Sequence, residues 1–297
     1  MTQVGSVREL VAKICWKQGV RLFQLGKRVR FLGPFQHAML AATNKLLPPP
    51  SYEMRISLQD GLEMMVPPCL PRARTYAAGV YEEGVTAVVR SLLSEGDTFV
   101  DVGAFCGYYT LLSSRLVGMT GRVFSFEPLR SNYCYLVRNI RANSCWNVTA
   151  VNKAASSETG SRYLTIHEEP DHNWLSSSPP QGKSIEIASL SLDDFFRLEG
   201  WPPVNVVKID VEGSETEVLE GMVELSRRNP SMRAIMEFDP ANLRRAGARP
   251  CDLALQLVKL GFRSGSVIER GMTPFDVAKG MPRIIGTYNI LFRRDED

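Results

Sequence analysis

A chain of 297 residues with 35 Lys+Arg against 32 Asp+Glu, 44% hydrophobic and 23% charged, has the composition of a globular protein and excludes wholesale disorder. The length suits one large α/β domain with an appendage, or two modest domains. The six cysteines (Cys15, Cys69, Cys106, Cys134, Cys145, Cys251) contain no CxxC pair, so neither a disulfide framework nor a zinc ribbon is expected, and a reducing, cytoplasmic setting is. The longest uncharged stretch, 31–44, contains Pro34 and is shorter than the roughly 18 apolar residues that a bilayer span requires. The first residues, with Glu9 and no apolar h-region, do not read as a secretory signal.

Residues 1–47 hold eight basic side chains (Arg8, Lys13, Lys17, Arg21, Lys27, Arg28, Arg30, Lys45) against Glu9 alone. Val11, Ile14, Leu22, Leu25, Val29 and Leu32 recur near three- and four-residue spacing, which predicts a basic amphipathic helix. Such a helix caps the main domain with its basic face in water, docks an acidic partner, or rests on an anionic membrane surface, a membrane-peripheral alternative. Pro48-Pro49-Pro50 ends this extension, 1–50. Apolar runs at 54–58 and 62–66 flank Gln59-Asp60-Gly61 and predict a hairpin, so 51–80 reads as hairpin and connector. A helix is predicted over 82–94, where Val85, Val88, Val89, Leu92 and Leu93 share a face.

From there strands alternate with helices. Strands are predicted at 98–102, 122–126, 148–152, 204–209 and 234–238, and helices at 108–116, 129–142, 215–225 and 251–260. Further strands are predicted at 161–166 and 184–188, and two last ones at 263–268 and 287–292. Alternation with apolar strand runs predicts a mostly parallel sheet with helices on both faces, forming the main domain over 81–297.

Four of these strands end in an acid: Asp101 after TFV, Glu127 after VFSF, Asp210 after VVKI and Glu237 after AIM. Ligands of doubly wound sheets bind outside the carboxyl ends of the strands. Gly103 and Gly107 follow the first strand in DVGAFCGYYT, allowing a tight turn and close backbone approach. Glu127 lies 20 residues after Gly107, the usual offset for a carboxylate gripping ribose hydroxyls. A nicotinamide dinucleotide brings a pyrophosphate, which favours a three-glycine loop and bare amides. Asp101 stands beside that place and would repel phosphates. S-adenosylmethionine is net cationic, so an acidic rim attracts it. Charge favours the cationic cofactor.

FVDVGAFCGYYTLLSSRLVGMTGRVFSFEP, NVTAVNKAAS and VVKIDVEGSETEVLEGM together resemble the FkbM-type S-adenosylmethionine-dependent methyltransferases, over about residues 81–292. The KIDVEGxExxVLxG segment is the specific part. The resemblance implies a class I methyltransferase fold, Rossmann-like, with seven strands and the last antiparallel. It also implies methyl transfer to a hydroxyl of a small acceptor such as a sugar, glycolipid or polyketide-like metabolite. Asp101, Gly103, Ala104 and Gly107 match the cofactor loop, Glu127 the ribose acid, and Lys208, Asp210, Glu212, Gly213 and Glu215 the second motif. Where the family usually has Asn after Gly-Ala, this chain has Phe105, then Cys106. That removes an amide from the loop and predicts weaker cofactor affinity or a rearranged loop.

A hydroxyl acceptor must lose its proton, so a general base helps. Asp210 is the first choice, with Glu212 and Glu215 as alternates; Lys208 either holds an anionic acceptor or pairs with Asp210. Capping of the following helix is the competing role for Asp210 and Glu215. Asp210 and Glu237 end neighbouring strands, an arrangement that suits a hard cation, but without a third clear ligand no metal is expected. Between two predicted strands lie 17 residues, HEEPDHNWLSSSPPQGK, and an unstructured stretch of that length tends to be a lid or binding loop. His172 and Trp174 within it are the acceptor-binding candidates, with His167 beside them. Aromatic residues are not interleaved with a basic stripe, so no nucleic-acid partner is expected. Two other readings stay open: a nicotinamide-dependent oxidoreductase on a similar sheet, and a degenerate, membrane-peripheral binding protein.

Overall fold

The computed structural model describes residues 52–79, 81–166, 174–176 and 183–294. They fall into two compact units that divide between Glu83 and Gly84. The basic helix expected within 1–47 lies outside the described residues.

In the first unit β1 (Met54–Ser57) pairs antiparallel with β2 (Glu63–Val66). Met54, Ile56, Met64 and Val66 are buried, the two-residue period of a strand with one covered face. Asp60 and Gly61 in the turn both take left-handed backbone, with φ of 61° and 72°. Asp and Gly are the residues that reach that region at least cost. α1 (Ala73–Ala78), a short helix with no clear sequence signal, stops at Gly79.

The second unit begins in α2 (Glu83–Leu92), which buries Val85, Val88 and Val89. The strands then follow as β3 (Thr98–Val102), β4 (Arg122–Phe126), β5 (Val148–Val151), β6 (Ala154–Ala155), β7 (Gly160–Thr165), β8 (Trp174–Ser176) and β9 (Ser184–Leu190). β10 (Val206–Ile209), β11 (Arg233–Phe238), β12 (Phe262–Val267), β13 (Thr273–Asp276) and β14 (Tyr288–Arg294) complete them. The main sheet has the order β13-β12-β14-β11-β10-β3-β4-β5. β3, β4, β5, β10 and β11 are parallel, and β14 runs antiparallel between β11 and β12. This is the class I methyltransferase sheet, with one strand more than the seven expected. The addition, β13, escaped the pattern because its four residues are largely exposed and include Pro274.

β6, β9, β7 and β8 form a separate four-stranded sheet. The stretch 167–183, expected to be without structure, contributes β8 to it. The single helix expected over 215–225 is two, α6 (Glu215–Glu220) and α7 (Val223–Arg228), in a run that also includes α3 (Tyr108–Val117), α4 (Arg130–Ala142) and α5 (Leu192–Leu198) before them. The break falls at Gly221, where a Cβ would lie 2.0 Å from the Ser156 carbonyl oxygen. α8 (Pro240–Arg245) and α9 (Pro250–Lys259) follow.

Every residue of β3 and β10 is buried, as mid-sheet strands covered on both faces require. Phe124, Phe126, Phe195 and Phe196 meet edge-on at centroid distances of 5.0–5.5 Å, joining β4 to α5. Phe124, Phe126 and Phe196 are fully buried, and each such ring stabilises the fold by about 1.5–3 kcal/mol; Phe195 is partly buried against them. This core holds the carboxyl ends of β3, β4, β10 and β11 in fixed relation. No described helix is long and apolar enough to cross a membrane.

Candidate active site

Four adjacent strands, in the sheet order β11-β10-β3-β4, each carry an acid within one residue of their carboxyl end: Glu237, Asp210, Asp101 and Glu127. Strand order reverses between β10 and β3, the switch point at which doubly wound sheets bind their ligands.

At the end of β3, Asp101 is buried and accepts a 2.6 Å hydrogen bond from Thr110 Oγ1. Burial raises its carboxyl above the usual range, against the pull of Lys208, its register partner on β10. The glycine loop then turns through three left-handed residues, Gly103 (φ 84°), Phe105 (φ 50°) and Gly107 (φ 95°). A Cβ on Gly103 would lie 1.9 Å from the Asp210 carbonyl oxygen, so glycine is what lets the loop touch the β10 turn. The amides of Gly103 and Ala104 both donate to the Phe126 carbonyl at 3.0 Å. Phe105 occupies the region where asparagine is enriched among non-glycine residues. Asn139 Nδ2 donates to the Cys106 carbonyl at 2.8 Å, so buried Cys106 is a turn residue of this loop.

Glu127 closes the same loop. Its Oε2 accepts from the Phe105 amide and its Oε1 from the Leu129 amide, each at 2.9 Å. Burial pushes this carboxyl from 4.5 up to about 7, although both amides favour the charged form.

The second motif follows β10. Lys208, buried within the strand, places Nζ 2.7 Å from Asp210 Oδ2 and 4.7 Å from the centre of the Tyr109 ring. Of the two roles expected for Lys208, the structure shows pairing with Asp210. Glu212 (φ 55°) and Gly213 (φ 109°) turn the chain into α6, and Asn242 Nδ2 of α8 donates to Glu212 Oε2 at 2.7 Å. Glu215, the first residue of α6, accepts from the Gly213 amide at 3.0 Å, and burial pushes its carboxyl up to about 7. Glu215 therefore turns back onto its own turn.

Carboxylate oxygens of Asp210, Glu212 and Glu237 lie within 4.8 Å of one another. Glu237 is raised well above the usual carboxylate range, first by burial, then by Asp210, Glu212 and Glu215, with Lys208 opposing. Glu212 is the third carboxylate that strand ends alone did not supply. Lys208 donates to Asp210 and Asn242 to Glu212 within this group.

The structure thus brings together Asp101, Gly103, Ala104, Gly107, Glu127, Lys208, Asp210 and Glu212. Sequence reasoning missed Thr110, Tyr109 and Asn242. The last was detectable, since Asp239-Pro240 is an N-cap followed by proline at the first helical position, and Asp239 accepts from the Ala241 amide at 2.7 Å. On the acceptor side, His167 and His172 lie outside the described residues, and Trp174 opens β8 opposite Thr165.

A family model described as the methyltransferase FkbM domain matches residues 101–264. The hexuronic acid methyltransferase AglP of Haloferax volcanii is 32% identical over 145 residues, covering 47% of this chain and 56% of AglP. The chain therefore aligns with little more than half the length of that relative. Among solved structures, methyltransferase FkbM from Methylobacillus flagellatus matches with a TM-score of 0.42 at 15% identity, covering 75% of this chain and 53% of the other. A SAM-dependent methyltransferase from Aquifex aeolicus matches with a TM-score of 0.39 at 17% identity, covering 71% and 88%. The matched residues run from Asp101 at the end of β3 to β12, more than half of the chain, and on that match this chain belongs to the FkbM methyltransferase family.

Proposed function

We propose that the chain is an S-adenosylmethionine-dependent O-methyltransferase acting on a hydroxyl of a sugar, glycolipid or secondary-metabolite acceptor. The observation that carries this reading is the row of acids at four adjacent strand ends, beside a loop whose glycine backbone closes on β10. The residues fit the cofactor: a ligand with a sulfonium and an ammonium group is attracted to the edge formed by Asp101, Asp210 and Glu237. Glu127, one strand further, is where ribose hydroxyls would be held. When bound, S-adenosylmethionine supplies an electrophilic methyl group.

The chain's own residues do the rest. The Gly103–Gly107 backbone positions the cofactor, Asp210 is held by Lys208 at the reacting end, and the acids around it supply the proton acceptor. Most of the acceleration in such a transfer is placement of the acceptor oxygen. A sugar acceptor is the first class to test, since AglP carries that activity in its name. Calorimetry with S-adenosylmethionine, S-adenosylhomocysteine and NADH tests the cofactor, with micromolar binding of the first two expected. Isotopic methyl transfer to paired hexuronosides and neutral glycosides tests the acceptor. Tight NADH binding without either adenosyl ligand would overturn the reading.

A further inference from the structure

The acids of this site differ in what already holds them. Asp101 accepts from Thr110, Glu127 from two backbone amides, Asp210 from Lys208, Glu212 from Asn242 and Glu215 from the Gly213 amide. Glu237, half-buried at the end of β11, accepts no hydrogen bond from any described residue. A general base needs a lone pair within hydrogen-bond reach of the proton that it takes. Only Glu237 among these carboxylates keeps both oxygens uncommitted.

We infer that Glu237 is the catalytic base that takes the acceptor's hydroxyl proton, with Asp210 as its charged neighbour; this rests on the methyl-transfer reading above. Asp210 is unsuited to the role because Lys208 Nζ holds its Oδ2 at 2.7 Å, and protonation there would break a buried ion pair. The surroundings of Glu237 also strengthen it as a base. Asp210 follows β10, Glu212 and Glu215 lie in the turn and helix beyond, and Lys208 opposes them. On the other side, β14 presents the uncharged Asn289, whose side-chain amide donates to Glu269 at 2.9 Å. Like charges on one side and a neutral amide on the other increase proton affinity. In the step itself the acceptor oxygen bonds to the methyl carbon as the carbon–sulfur bond breaks. That electron pair stays on sulfur, giving neutral S-adenosylhomocysteine, and the hydroxyl proton passes to Glu237. One cation and one anion vanish together, so the net charge of the site is conserved.

The cofactor's positive sulfur favours ionised Glu237, whereas the neutral sulfur of S-adenosylhomocysteine does not. Calorimetry in two buffers of different ionisation enthalpy reads this directly. Across a pH series, S-adenosylmethionine should at its maximum release more protons on binding than S-adenosylhomocysteine does, and E237Q should abolish the difference while still binding S-adenosylhomocysteine measurably. With a competent hydroxyl acceptor, E237Q should lower kcat at least about a hundredfold, and E237D should recover part of the loss. D210N should instead move the acid limb of the pH–rate profile to lower pH, because it removes a negative neighbour of the base. The assignment is overturned if E237Q keeps the proton difference, or keeps kcat within about threefold while D210N loses it. If the wild-type chain binds neither adenosyl ligand, the methyl-transfer reading itself falls and takes the assignment with it.

Discussion

Gly103 and Gly247 share a left-handed backbone, with φ of 84° and 85°, yet differ in what a side chain would meet. At Gly247 nothing lies within 4 Å, whereas at Gly103 a Cβ would strike the Asp210 carbonyl. Gly247→Ala should therefore cost only its backbone strain, about 1 kcal/mol. Gly103→Ala should cost at least about 2 kcal/mol and also loosen the cofactor loop. Urea midpoints at unchanged slope, with S-adenosylhomocysteine affinity alongside, check both. Glu127 and Glu215 set a pH dependence at the same scale. Each is buried, and each carboxyl rises from 4.5 to about 7. The folded chain therefore binds more protons than the unfolded one between those values, so stability falls as pH rises from about 4.5 to about 7. Thermal melts of the ligand-free protein should show this fall, and Glu127→Gln should flatten it. A melting temperature that climbs across the window would contradict the assignment of these two groups.

At the scale of elements, β13 is held by aromatic packing over a bare backbone. A Cβ on Gly265 of β12 would lie 2.3 Å from the Phe275 ring, and that ring meets Phe292 of β14 at 6.2 Å. Gly265→Val should lift Phe275 away, cost about 1–3 kcal/mol, and speed amide exchange in β13 while β3 and β10 stay protected. The elements themselves were unevenly readable. β3, β4, β10 and β11 announced themselves as apolar runs ending in acids, because a strand buried on both faces is mostly apolar. α5 did not, since it is only seven residues long. It is built from Ser191, which accepts from the Asp194 amide, and Asp193, which accepts from the Glu224 and Leu225 amides. Those last contacts bridge about thirty residues of sequence and leave no periodic trace. The break at Gly221 is similar, because it depends on where the Ser156 carbonyl arrives.

For the whole molecule, a net charge of +3 conceals an acidic edge on the sheet. That edge should attract the sulfonium form of the cofactor more than its neutral product. Raising salt should therefore weaken S-adenosylmethionine more than S-adenosylhomocysteine, by a factor of about two to three over a tenfold change in ionic strength. Equal salt slopes would mean that the acids do not face the sulfur. The family, the parallel sheet and the acid at each strand end were determined by the sequence itself, because hydrophobic period and motif spacing are properties of neighbouring residues. Which of those acids is spoken for was decided by the tertiary structure alone. Lys208 lies two residues from Asp210, and its pairing was one of two roles open to it, but Asn242 reaches Glu212 across 30 residues. A carboxylate's chemistry depends on its donors and its dielectric surroundings, and both are assembled only when distant segments close around it.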